Sequence, residues 1–130
     1  MIIEYLTVGP FQENSYILGD EATGEGVLID PGDEADLILA RVRDLKLSIT
    51  AIVNTHAHID HVGAVAEIQR QLGIPFRLHA ADRPLLEALP QQAALFGLPP
   101  LTVPKVASHL VEGETFQVGV SYLFRGAVIR

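Results

Sequence analysis

The segment Thr55-His56-Ala57-His58-Ile59-Asp60-His61 constrains this chain more than any other part of it. Four of its seven residues carry metal-ligating side chains, and three of the chain's five histidines fall inside it. It lies between an apolar run, Ile49 to Val53, that reads as a buried strand, and a stretch with Val62, Val65, Ala66, Ile68 and Leu72 at helical spacing. The fold must therefore bring a strand end and a helix start to one place. In extended backbone alternate side chains share a face, so His56, His58 and Asp60 can converge. His61 is out of that phase and joins them only if the chain turns at the strand-to-helix junction. Solvated loop histidines would be the bland reading, but this density of ligands between apolar elements favours metal binding.

The chain has no cysteine, so any metal is held by histidine and carboxylate alone. Two neutral imidazoles with a further nitrogen or oxygen ligand suit zinc or non-haem iron, with a position left open for water. Asp60 and His61 begin a second cluster, which allows one ion or two. Manganese is the other ion such donors accept. A helix N-terminus nearby disfavours imidazolium, so the histidines are expected to stay neutral and able to ligate.

The rest of the chain reads as α/β. Ile2 to Val8, Ser15 to Leu18 and Val27 to Ile29 are strand candidates separated by Gly-rich and acidic turns, which predicts an antiparallel meander. Ala35, Ile38, Val42 and Leu45 then step at helical spacing, with Asp33 the expected N-cap. Gly73 and Pro75 close the helix that follows the histidine segment. Phe76 to Leu78 predicts a strand, Pro84 to Leu89 a short helix, and the proline-bearing stretch from Pro90 to Pro104 an irregular, locally helical segment. Glu112-Gly113-Glu114 reads as a turn into a strand at Thr115 to Val118. The expectation is one domain over 1–130, with 119–130 an atypical tail.

A hydrophobic fraction of 48% supports a packed core, and a formal charge of −7 argues against a nucleic-acid surface. The N-terminus lacks a basic leader and no stretch is apolar enough to span a bilayer, so a cytoplasmic setting away from membranes is expected.

Thr55 to His61 resembles the HxHxDH signature of the metallo-β-lactamase superfamily. Gln12-Glu13-Asn14-Ser15-Tyr16, Leu28-Ile29-Asp30-Pro31-Gly32 and Asp60-His61-Val62-Gly63-Ala64 resemble stretches of its hydroxyacylglutathione hydrolase (glyoxalase II) branch, a likeness covering about residues 1–118. It implies an αβ/βα sandwich of which this chain largely represents the N-terminal half. By position, His56 and His58 would bind a first metal, and Asp60 and His61 a second, with Asp60 also the candidate catalytic residue. Asp30 would be a carboxylate that steadies the histidine loop rather than a ligand. The activity the resemblance implies is metal-assisted hydrolysis of a small-molecule substrate such as a glutathione thioester. The superfamily also holds β-lactam hydrolases, lactonases, nucleases and iron-dependent persulfide dioxygenases, so fold alone does not choose.

The chain also departs from the family's pattern. Relatives continue after the strand near Thr115 into an HTPGH segment, then a bridging aspartate and a final histidine. Here the last histidine is His109 and the last aspartate Asp82. Leu123-Phe124-Arg125-Gly126 resembles a stretch that follows the bridging aspartate, which would put Ser121 in its place and imply an internal deletion after Val118. A catalytically incomplete metal-binding fragment, stable only as a homo-oligomer, is the rival expectation. Among the remaining residues, His79 reads as a partly buried structural histidine and His109 as exposed at a strand entry. Tyr16 and Phe11 read as core, and Arg125 as a solvated charge.

Overall fold

The computed structural model describes residues 1–111, 113–119 and 122–125, the last of these as backbone only. Glu112, Ser121, the side chain of Arg125 and residues 126–130, which the turn and tail readings invoke, lie outside it. Three strands come first: β1 (Ile2–Val8), β2 (Glu13–Gly19) and β3 (Glu25–Ile29). They pair antiparallel, as the meander predicts. Helix α1 (Ala35–Asp44) leads to β4 (Ser48–Val53), then α2 (Ile59–Val62), α3 (Val65–Leu72) and β5 (Phe76–His79). A 3-10 turn precedes α4 (Arg83–Glu87) and α5 (Leu89–Leu95), and β6 (Ser108–Leu110) closes the first sheet. From β3 onwards the neighbours are parallel, giving the six-stranded order β1-β2-β3-β4-β5-β6. A separate antiparallel pair, β7 (Thr115–Val118) and β8 (Tyr122–Arg125), makes a second sheet.

Strand alternation sorts the side chains onto two faces. On one, Leu6, Val8, Ile17, Leu28, Ile52, Phe76 and Leu78 meet Ile38 and Val42 of α1 and Val65 and Ile68 of α3, all buried. On the other, Leu18, Val27, Val53 and Leu110 pack with Val118 and Phe116 of β7. Sheet-plus-helix on one side and a second sheet on the other is the layering expected of an αβ/βα sandwich.

Four expectations are corrected. Asp33 does not cap α1; Glu34 holds that position in a left-handed conformation (φ 52°), and its carboxylate instead accepts from Gly9 N at 2.8 Å. The helix expected from Val62 starts three residues earlier and breaks at Gly63-Ala64, because Ala64 N donates to Pro31 O (3.0 Å) rather than continuing the helical ladder. The helix expected over Pro84 to Leu89 divides at Ala88 into α4 and α5, the second opening with Pro90 in its first turn. Tyr16 and Phe11 are not core: they are 39% and 42% exposed. Tyr16 lies opposite Tyr5 on the face away from the helices, and Phe11 sits in the β1–β2 turn edge-on to Phe96.

Candidate metal centre

The C-terminal ends of β3 and β4 lie side by side, Ile29 against Val53, and the chain leaves both towards the same side. Open parallel sheets present functional groups at such strand ends. Asp30 follows β3 at φ 52°, a left-handed conformation that Asp tolerates better than most residues yet still at some cost. Asp30 Oδ1 accepts from Thr55 N (2.7 Å), and Oδ2 from Thr55 Oγ1 (2.6 Å). Oδ2 also stands 3.0 Å from His61 Nδ1. Both oxygens are thus engaged in holding the histidine segment.

Those bonds fix ring orientation. The Thr55 hydroxyl has one hydrogen, which goes to Asp30, so Thr55 Oγ1 accepts from His56 Nδ1, 3.0 Å away. His56 therefore carries its proton on Nδ1 and leaves Nε2 as a lone-pair donor. His61 Nδ1 faces carboxylates on both sides, Asp30 and Glu13 Oε1 (3.2 Å), which likewise leaves Nε2 for a ligand. Buried Asn54 clamps the segment from beneath: its amide donates to His56 O (3.3 Å) and His61 O (2.6 Å).

The four predicted residues are neighbours, but among the described residues the donor atoms that converge are those of His56 and His61 with Asp30, not those of His58 and Asp60. His56 and His58 rings stand edge to face with centroids 5.0 Å apart, while His56 and His61 are closer at 3.7 Å. The convergence by strand alternation therefore ends at His58, because Asp60 and His61 lie on the first turn of α2. Asp60 Oδ2 stands 3.5 Å from His61 Nε2. Two ligands about 2.05 Å from one tetrahedral ion would be about 3.3 Å apart, so this pair is spaced as two ligands of one ion. Donor atoms of Asp30, His56 and His61 all lie within 4.8 Å of one another. Asp30 is within ligand reach there, but its existing donors suit an orienting role. The donor set fits a divalent cation, and imidazole with carboxylate accommodates zinc and iron alike.

Electrostatics divide the histidines. Burial pushes the His56 imidazole below its ordinary pKa, helped by the neighbouring His61, so it stays neutral as expected. For His61 that expectation fails. Burial pulls its pKa down, but the hydrogen bonds to Asp30 and Glu13, with the charges of Asp30 and Asp60, outweigh it and raise it to about 10. A four-residue helix supplies too little dipole to oppose two adjacent carboxylates. Glu13 is itself raised by burial, partly offset by His61.

His79 and His109 stay outside the cluster. His79 Nδ1 accepts from Ala81 N (3.1 Å) at the end of β5, a structural cap, and exposed His109 has Nε2 3.4 Å from Arg83. Sequence reasoning gave no role to Glu13 or Asn54. The signal for Glu13 was its phase, since Glu13, Ser15 and Ile17 share the buried face of β2.

The fold has known counterparts. Residues 8–125 match the model of the metallo-beta-lactamase superfamily. An uncharacterized protein of Aquifex aeolicus is 39% identical over 92% of this chain and 56% of its own length. The hydroxyacylglutathione hydrolase GloC of Haemophilus influenzae is 37% identical over 76% of this chain and 47% of its own. Among solved structures, the BLEG-1 B3 metallo-beta-lactamase superposes with a TM-score of 0.81 at 31% identity, covering 95% of this chain and 59% of that one. TTHA1623 in a di-iron-bound form gives 0.76 at 41% identity, covering 85% and 55%. The chain spans about half the length of the curated relatives it matches. With the family's matched region reaching from the end of β1 to β8 and enclosing the histidine cluster, this chain belongs to the metallo-β-lactamase superfamily.

Proposed function

We propose that the chain carries the metal-holding part of a metal-dependent hydrolase that cleaves a thioester of the hydroxyacylglutathione kind. The observation that carries this is the 3.5 Å apposition of Asp60 Oδ2 and His61 Nε2 beside the His56–His58 pair. His56 and His58 would hold one ion and Asp60 and His61 another, with Asp30 orienting His61 and, through Thr55, His56. A divalent ion bound there supplies Lewis acidity, bringing the pKa of water towards neutrality and polarising a carbonyl. The protein's own contribution is positional: His56 and His61 are each held at Nδ1, which leaves Nε2 as the nitrogen that would meet a metal. Asp60, partly exposed, is placed to orient an attacking water. Zinc is the first candidate; iron is the second, favoured by the di-iron form of a 41%-identical structure.

A second reading is a metal-binding unit without turnover, in keeping with the convergence of donor atoms from Asp30, His56 and His61 alone among the described residues. Metal content measured alongside S-lactoylglutathione hydrolysis separates the two. Turnover that follows metal loading supports the hydrolase, and bound metal with no turnover supports the inactive unit.

A further inference from the structure

Glu13 is a charged side chain in a place that ordinarily excludes charge. It is 8% exposed at the start of β2, on the same face as fully buried Ile17, and among the described residues no lysine or arginine forms an ion pair with it. Its carboxylate is instead shared between the candidate site and the turn that follows β3. Oε1 lies 3.2 Å from His61 Nδ1, on the nitrogen already 3.0 Å from Asp30 Oδ2. Oε2 stands 3.0 Å from Ser15 Oγ, whose one hydrogen is shared between it and Asp30 O. Ser15 Oγ lies 2.7 Å from Asp30 O and accepts from Gly32 N at 3.1 Å, so one side-chain chain links Glu13 to both sides of the Asp30-Pro31 turn. Leaving a carboxylate this buried costs free energy unless it is compensated, and Oε1 makes no hydrogen bond, so its compensation is the charge of the His61 ring 3.2 Å away.

Building on the metal-site reading above, we propose that Glu13 is a positioning residue for His61. It supplies a second carboxylate to Nδ1 and braces the turn that carries Asp30, so that His61 Nε2 is presented beside Asp60. One carboxylate would leave the ring free to pivot about a single bond. With Asp30 taking the hydrogen bond from the end of β3 and Glu13 holding the same nitrogen by charge from β2, the ring is restrained from both sides. Partners of this kind orient an imidazole and raise its strength as a donor, and their loss commonly costs 10–100-fold in metal affinity.

The test uses Glu13→Gln, which keeps the shape and one acceptor, and Glu13→Ala, which removes both. Cobalt(II) is titrated into the full chain and followed by visible absorption, and the His61 Nδ1–H resonance is recorded by NMR on the metal-free wild type. The expected results are about a tenfold weaker cobalt affinity for Glu13→Gln, a larger loss for Glu13→Ala, and a downfield Nδ1–H signal that moves in Glu13→Gln. Unchanged cobalt affinity in a folded Glu13→Gln protein overturns the proposal. So does a wild-type spectrum with no downfield His61 Nδ1–H signal, which needs neither a metal nor a stable variant. Wild-type protein that takes up no cobalt overturns the metal-site reading, while the NMR result judges the Glu13–His61 contact independently.

Discussion

Asp60 Oδ2 stands 3.5 Å from His61 Nε2, while Asp30 holds the same ring through Nδ1 at 3.0 Å. One imidazole thus joins a carboxylate placed to ligate and a carboxylate placed to orient. Its charge state follows from that position. In the metal-free chain the His61 pKa is raised from 6.5 to about 10, so its contribution to folding is complete below about pH 6.5 and fades as pH rises through about 10. A metal must displace that proton. Binding at pH 7 is expected to release about one proton per chain, and apparent affinity to rise by up to about tenfold per pH unit between about 7 and 9. Calorimetry in buffers of different ionisation enthalpy counts the protons. Affinity independent of pH, with no release, contradicts the assignment.

The loop that places Asp60 depends on two glycines. A Cβ at Gly32 would overlap Asp60 O and stand 2.6 Å from Glu13 Oε2, and one at Gly63 would overlap Gly32 O. Backbone atoms cannot swing aside as a side-chain tip can. Gly32→Ala is expected to cost about 1–3 kcal/mol by denaturant unfolding and to weaken metal binding as well. Loss of stability with metal affinity intact would show that the turn and the site are not coupled.

Replacing His58 with Ala is expected to lower bound metal and, if the wild type hydrolyses a thioester, to abolish that turnover. Few imidazoles face the site, so the loss of one removes both geometry and affinity. Metal analysis and a steady-state assay on the same preparation are the check. Full turnover in His58→Ala would exclude the two-ion arrangement.

Much of the fold was legible because its periods are clean. β1 and β4 and the helical spacing of Ile38 and Val42 each followed from apolar phase. The site's membership was legible from ligand density in the histidine segment. Its geometry was not. Alternation along a strand predicted that Asp60 would align with His56 and His58, but α2 begins at Ile59, and a helical turn gave the closest ring contact to His61 instead. The early start depends on contacts distant in sequence, Ile59 N to Gln92 and Ala64 N to Pro31, which no local pattern encodes. The misplacement of Tyr16 has a similar cause. Alternation assigns it to a face but does not say whether that face is covered.

That face supplies a further expectation. Ile3, Tyr5 and Tyr16 are 63%, 62% and 39% exposed on the side of β1 and β2 away from the helices, and β1 is an edge strand. Exposed apolar area beside an open edge promotes association. Sedimentation of the 130-residue chain is expected to show a dimer or larger species, and a Tyr5→Lys variant a shift towards monomer. A wild-type monomer at high concentration would contradict it.

The central claim is that His56, His58, Asp60 and His61 form a metal site, and metal content tests it most directly. The chain is loaded with zinc or iron, passed through gel filtration, and analysed for metal beside His61→Ala and Asp60→Ala. The account predicts about one ion per chain or more in the wild type, with a marked fall in both variants whose far-ultraviolet spectra remain native. A folded wild type that retains no metal, or variants that retain as much as the wild type, would contradict it.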